Sequence, residues 1–299
     1  MTRKLLLGMI VLLLVTNIVT IAIWMIDRND NEDEEFTVDF DQNEPVATIG
    51  QDEITYGEWI NHLEKAYGRE ALEEEINEKV IRQLAEEKNI SINEEVVELE
   101  LSLLFTMEGI LSEAEVEEKE EEWSESIRNR LYLEELITED MEITDQELQT
   151  YYDQYRDQYQ FSQTIQLSHI VVSDQTTANK VIDELDAGAS FTSLAREYTV
   201  DEETRNDGGY LGYYTETSSF LPSAYYDQAM SMQEHTYSEP FIVDGGVAIL
   251  YLHRELAEID LSYDALKDHL RREVALEKME VSPSAASLWN ELEIEWIYE

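Results

Sequence analysis

Three runs decide the fold: Gln166-Leu-Ser-His-Ile-Val-Val172, Asp207-Gly-Gly-Tyr-Leu-Gly212, and Ser238-Glu-Pro-Phe-Ile-Val-Asp-Gly-Gly-Val-Ala-Ile-Leu-Tyr-Leu252. Around the first, Ile165, Leu167, His169 and Val171 alternate with Gln166, Ser168, Ile170 and Val172, the period of two that marks a strand. Two helical stripes follow: Ala178, Val181, Ile182 and Leu185, then Phe191, Leu194, Ala195 and Tyr198. Gly188 parts them, where a helix end calls for a left-handed residue. A third helix is expected near Ala224–Met232, before two closing strands. The order strand, helix, helix, glycine turn, helix, strand, strand predicts a small α+β module with helices packed on an antiparallel sheet.

Working outward, residues 5–26 form an uncharged apolar run, long enough to cross a bilayer core of ~30 Å. Arg3 and Lys4 precede it; Asp27, Asp30, Glu32, Asp33, Glu34 and Glu35 follow, with Arg28 as the one nearby base. The positive-inside rule puts the N-terminus in the cytoplasm and the remaining chain outside. A cleaved signal peptide is the alternative. Against it, Ile21-Ala-Ile-Trp-Met-Ile26 makes a poor cleavage site and no cysteine is present to take a lipid. Residues 27–45 read as an acidic, extended linker.

Val46 to Thr55 reads as a short strand, a tight turn at Gly50 and the approach to a helix capped by Thr55 and Glu58. That helix is expected to bury Trp59, Ile60 and Leu63. The next carries Leu72, Ile76, Val80 and Leu84 on one stripe. Capping pairs at Ser91 with Glu94, Ser112 with Glu115 and Thr144 with Glu147 open three more helices. The last of these holds Tyr152, Tyr155 and Tyr159 as packing residues, with nothing ionisable beside them. Glu117 to Glu122 reads as a solvated helix face. Beyond the module lie a helix over about 263–279, a short helix opened by Ser282-Pro283, and an alternating run, 293–299, that reads as a strand. The one partner left for that strand is Val46–Ile49, which implies that the chain ends meet around an inserted module.

A net charge of −48 argues against nucleic acid as a partner, since phosphate binding needs clustered Lys and Arg. The chain has no cysteine and five histidines, with no HExxH or EF-hand spacing, so no metal and no cofactor is expected. The oligomeric state stays open, a dimer included.

The runs His169-Ile-Val-Val, Ala189-Ser-Phe-Thr-Ser-Leu-Ala-Arg-Glu-Tyr-Thr-Val-Asp201, Gly208-Gly-Tyr-Leu-Gly212, Ser238-Glu-Pro240 and Gly246-Val-Ala-Ile-Leu250 resemble the parvulin family of peptidyl-prolyl isomerases. The flanks, Val46-Ala-Thr-Ile-Gly and Leu72-Glu-Glu-Glu-Ile-Asn-Glu-Lys-Val-Ile, are similar to PrsA- and SurA-type foldases, in particular a membrane-anchored YacD type. The resemblance implies an α+β chain: a transmembrane helix in 1–26, a linker at 27–45, a helical chaperone domain from 46–160 and 257–299, and a parvulin domain inserted at 161–256. It also implies X-Pro isomerase activity, of low rate if the departure below matters, on unfolded or partly folded exported polypeptides at the outer face of the cell membrane. By the same resemblance, Leu211, Leu221 and Tyr225 form the proline socket, with Tyr225 in place of phenylalanine, and His169 and Asp201 are the polar members. The departure is Ala248, which stands where the family commonly carries a second histidine. Isomerase and non-enzymatic chaperone with a degenerate module therefore both remain open.

Overall fold

The computed structural model describes residues 41–279 and 283–298. The expected membrane-crossing segment at 5–26 lies outside them. No helix among the described residues is long and apolar enough to cross a membrane. The chain divides into two compact units, one up to Glu73 and one from Glu74.

In the first unit, β1 (Pro45–Ile49) and β2 (Asp52–Thr55) form an antiparallel hairpin turning at Gly50, whose φ is +68°. Thr55 opens α1 (Tyr56–Leu63) with the expected capping box. Its hydroxyl accepts from the Glu58 amide at 3.3 Å, and its own amide donates to the Glu58 carboxylate at 3.1 Å. A π-helical turn, Glu64–Gly68, leads into α2 (Arg69–Glu87). The core expected under α1 does not form: no residue of the helix is buried and Trp59 is 45% exposed. One hairpin and one helix offer too few layers to enclose an apolar face.

In the second unit, the end of α2 buries Val80, Ile81 and Leu84 against Leu136, Ala285 and Leu288. α3 (Glu94–Phe105) is capped by Asn93, whose side chain accepts from the Glu95 amide at 3.0 Å, and not by Ser91. α4 (Glu113–Thr138) and α5 (Asp145–Tyr155) carry the expected capping boxes at Ser112–Glu115 and Thr144–Glu147. One buried cluster unites Val96, Val97, Leu131, Leu148, Tyr152 and Tyr159 with Leu266, Leu270 and Val274 of a later helix, so residues from both sides of the module share a core. The short segment near the end is a 3-10 helix, Ala285–Glu291, capped by Ser284; Ser282 lies outside the described residues. Residues 293–298 form no strand, and β1 takes β2 as its partner. Ile294 joins the α2 cluster, and the Trp296 ring meets Trp289 edge-on at 5.2 Å, so the alternating run packs through side chains without a ladder.

The module enters and leaves through a two-stranded clasp, β3 (Gln160–Phe161) against a strand at Ile259–Asp260. Its sheet is built on β4 (Thr164–Val172), every residue of which is buried. β5 (Tyr210–Thr215) lies antiparallel on one side; it is the second strand of the module, where the sequence suggested only a glycine turn. α6 (Gln175–Asp186), α7 (Phe191–Tyr198) and α8 (Ser223–Ala229) are the module's helices. β6 (Thr236–Tyr237) and β7 (Phe241–Val243) both pair with β8 (Gly246–Leu256), which completes the antiparallel order β5-β4-β8-β6. The expected alternation divides the faces. Ile170 and Val172 join Ile249, Val181 and Leu194 under α6 and α7. Ile165, Leu167 and Val171 join Leu250, Leu221 and Tyr225 under α8. The clasp strand is β9, and α9 (Tyr263–Lys278) then packs on α5 and α4.

Candidate active site

His169 sits on the α8 side of β4, 8% exposed. Its backbone is fixed by the glycine turn, because its amide donates to the Gly209 carbonyl at 2.8 Å. That approach requires glycine. A Cβ at residue 209 would stand 2.1 Å from the His169 carbonyl oxygen, on a backbone whose φ is +81°. The Asp207-Gly-Gly run is therefore a device for bringing β5 against the histidine.

Both ring nitrogens are engaged. Nε2 lies 2.8 Å from Asp201 Oδ2 and 3.1 Å from Thr204 Oγ1; Nδ1 lies 3.1 Å from the Tyr225 hydroxyl. An ionised carboxylate only accepts, so Nε2 carries the proton and Nδ1 accepts from Tyr225. Burial, with Asp201 nearby, pushes the Tyr225 hydroxyl up to about 12, so it remains a donor. Burial lowers the pKa of His169, and the hydrogen bond to Asp201 does not offset it. For Asp201, burial would raise the value. Hydrogen bonds from Thr204 (2.6 Å), from His169 and from the Glu203 amide outweigh that and hold the carboxyl below its usual range. A neutral imidazole thus spans an anion and a phenol.

These side chains line a cleft of about 540 Å³ together with Leu211, Leu221, Tyr214, Phe220 and Val200. All five site residues expected from the sequence face this one space. Leu221 and Tyr225 are buried and Leu211 is half-buried. Ala248 is fully buried, opposite Val171 on β4 and Phe241 on β7. The Tyr225 ring meets Phe241 edge-on at 5.6 Å. The Tyr225 hydroxyl, which had no assigned partner in the sequence, engages the other ring nitrogen of His169. His253 lies on the other sheet face, its Nε2 2.8 Å from Ser168 Oγ, and burial pushes it down to about 4.

Sequence reasoning missed Thr204, Thr199, Tyr214 and Phe220. The Thr199 hydroxyl accepts from the Val171 amide at 3.1 Å and the Val200 amide donates to the Val171 carbonyl at 2.7 Å, pinning the Asp201 loop to β4. The signal for Thr204 was the Asp201-Glu-Glu-Thr204 spacing, since a hydroxyl three residues after an aspartate readily bonds back to it. Among the described residues no cluster of His, Asp and Glu could hold a metal ion.

The site's protonation gives a first prediction. A ring held neutral by burial binds its proton only below its ordinary value near 6.5, so its favourable state persists above that pH and is lost as pH falls through the lowered value. In an NMR titration, the inflection of the His169 ring signals should fall below pH 6.5. An inflection at 6.5 would show a ring open to water.

Residues 143–268 match the family described as the PPIC-type PPIASE domain. Over 256 residues the chain is 36% identical to YacD of Bacillus subtilis, a protein named for peptidyl-prolyl cis-trans isomerisation, covering 85% of this chain and 86% of that protein. It is 31% identical over 248 residues to the foldase protein PrsA of Halalkalibacterium halodurans, covering 79% and 72%. The crystal structure of PrsA from Bacillus subtilis aligns over 84% of this chain and 92% of that one, at 21% identity and a TM-score of 0.29.

Proposed function

The chain belongs to the peptidyl-prolyl isomerase and foldase family of YacD and PrsA, and on that premise we propose that its cleft isomerises X-Pro bonds in unfolded or partly folded exported polypeptides. One observation carries the reading: a neutral His169, hydrogen-bonded through both ring nitrogens, and an ionised Asp201 line the same cleft as Leu211, Leu221 and Tyr225.

The reaction needs no nucleophile. Rotation about an X-Pro bond is slow because amide resonance opposes it, taking tens to hundreds of seconds unaided. A catalyst must hold the ring, exclude water and interact better with the twisted amide than with the planar one. Leu211, Leu221 and the Tyr225 ring supply the apolar socket. The planar amide carries more negative charge on its carbonyl oxygen than the twisted form does. A fixed carboxylate at Asp201 therefore disfavours the ground state more than the transition state, provided His169 and Thr204 hold it in place.

The helical part, 46–160 with 257–299, serves in this reading as a chaperone domain carrying the module 161–256; the core shared by residues on both sides of the module supports it. Residues 5–26 anchor the chain in the cell membrane, N-terminus inside, a placement that rests on the charge asymmetry around that run. A second reading, a chaperone with a degenerate module, draws on Ala248, which lies fully buried opposite Phe241 where the resemblance places a second histidine.

A proline-tetrapeptide turnover assay on the full-length chain separates the two. The isomerase reading expects turnover, with Leu221→Ala lowering kcat/KM by about tenfold through lost contact with the ring. No turnover, together with delayed aggregation of an unfolded client, would hand the function to the second reading.

A further inference from the structure

Beyond its apolar socket, the cleft has a rim of one sign. Asp201 and Glu203 line it from the loop after α7, and Asp244 from the tight turn joining β7 to β8; among the described residues no lysine or arginine lines it. Glu203 and Asp244 are exposed, and neither takes part in an ion pair with another described residue. Arg205, the nearest base along the chain, is occupied: Nε and Nη2 donate to the Thr199 carbonyl at 3.1 and 2.9 Å. The imidazole of His169 is engaged on both nitrogens within the site. No described residue of the cleft is therefore placed to neutralise the three carboxylates. Beside them stands Phe220, 94% exposed, an apolar platform for a long aliphatic stem.

We propose that this rim selects X-Pro segments with a lysine or arginine immediately before the proline, Glu203 and Asp244 receiving the cation while its stem lies along Phe220. The inference rests on the isomerase reading and adds the substrate class to it. An acidic residue at that place would meet like charge, which discriminates more sharply than attraction alone. Each exposed pair is modest in water, so the combined preference is about tenfold for Lys-Pro over Glu-Pro, and it should shrink toward one in 1 M salt, where the Debye length is ~3 Å.

The test measures kcat/KM of the full-length chain on Ala-Xaa-Pro-Phe peptides with Xaa as Lys, Ala or Glu, and repeats it with Glu203→Lys/Asp244→Lys. The Lys-to-Glu ratio is the readout, because any loss of folded protein cancels within each variant. The expected ratio is about ten in the unaltered chain and below one in the double variant. That exchange leaves the net charge of −48 nearly unaltered, so an inverted ratio assigns the preference to the rim and not to the chain's overall field. A ratio of one or less in the unaltered chain, or one that survives the double exchange, overturns the inference while leaving the isomerase reading intact. Absence of turnover on all three peptides overturns both.

Discussion

His169→Ala is expected to lower kcat/KM on a proline tetrapeptide by about a hundredfold, the scale for losing one preorganised polar group at a reacting centre. The loss has two sources. The ring is the donor that fixes Asp201 Oδ2 at 2.8 Å, and it is the acceptor that satisfies the Tyr225 hydroxyl. Without it, Asp201 keeps Thr204 and the Glu203 amide but gains freedom to turn toward water. Tyr225, in the wall of the socket, must find another partner or rotate. Thermal unfolding of the variant tells a local effect from a global one, since β4 remains paired on both sides. Retention of more than a third of the turnover in a folded variant would reduce His169 to a strand-ordering residue. Asp201→Asn completes the comparison. It keeps the shape and loses the charge, so it should match the alanine variant if the anion matters, and approach the unaltered chain if only geometry does.

Most of the module could be read from the chain because its signals are local. The alternation through His169 set the faces of β4, and Gly188 parted two helices whose apolar stripes point to the same side. β5 was legible only as a turn. Its first residues, Tyr210-Leu-Gly212, carry the glycine signal, and their strand character depends on pairing with β4 across more than forty residues. Ser91 met the capping pattern, yet Asn93 caps the helix, and its side-chain amide also reaches the Ala265 carbonyl at 2.9 Å. A contact so remote in sequence leaves no local mark. The five named site residues come from the resemblance to the parvulin runs and not from any local pattern, and the fold brings all five to one cleft. The site's closure through Tyr225 was not legible, since that bond joins segments brought together only by the fold, whereas the Thr204 bond to Asp201 is local and its spacing was there to be read. The tyrosines of α5 and the turn after it were read as packing with nothing ionisable nearby. The Tyr159 hydroxyl in fact donates to Glu273, and its ring meets His269 edge-on at 6.0 Å.

That last contact belongs to a buried charge network whose disruption should have the largest effect on stability. Arg272 of α9 is 2% exposed. Its guanidinium contacts Glu135 of α4 at 3.4 Å and His269 Nδ1 at 3.2 Å, while its Nε has no hydrogen-bond partner among the described residues. Arg271 donates to Glu135 as well and, at 2.9 Å, to the Thr138 carbonyl at the end of α4. Glu273 is half-buried, which would raise its pKa, but His269, Tyr159 and the charge of Arg272 keep it lowered and ionised. Arg272→Ala strands two carboxylates with one fewer cation in a poorly solvated place. The expected cost is about 3–5 kcal/mol, measured as a shift in the urea midpoint. Arg272→Met is the instructive control. It fills much of the same volume and removes the unsatisfied Nε, so it should cost clearly less than alanine; near-equality of the two would mean that charge, not packing, dominates. A loss under 1 kcal/mol for Arg272→Ala would show that Arg271 alone suffices for Glu135. The network lies where α9, downstream of the module, meets α4 and Tyr159, upstream of it. Weakening it should therefore loosen the join between the two halves of the helical part before the sheet itself yields. Amide exchange in α9 should rise in the alanine variant while that of β4 stays slow.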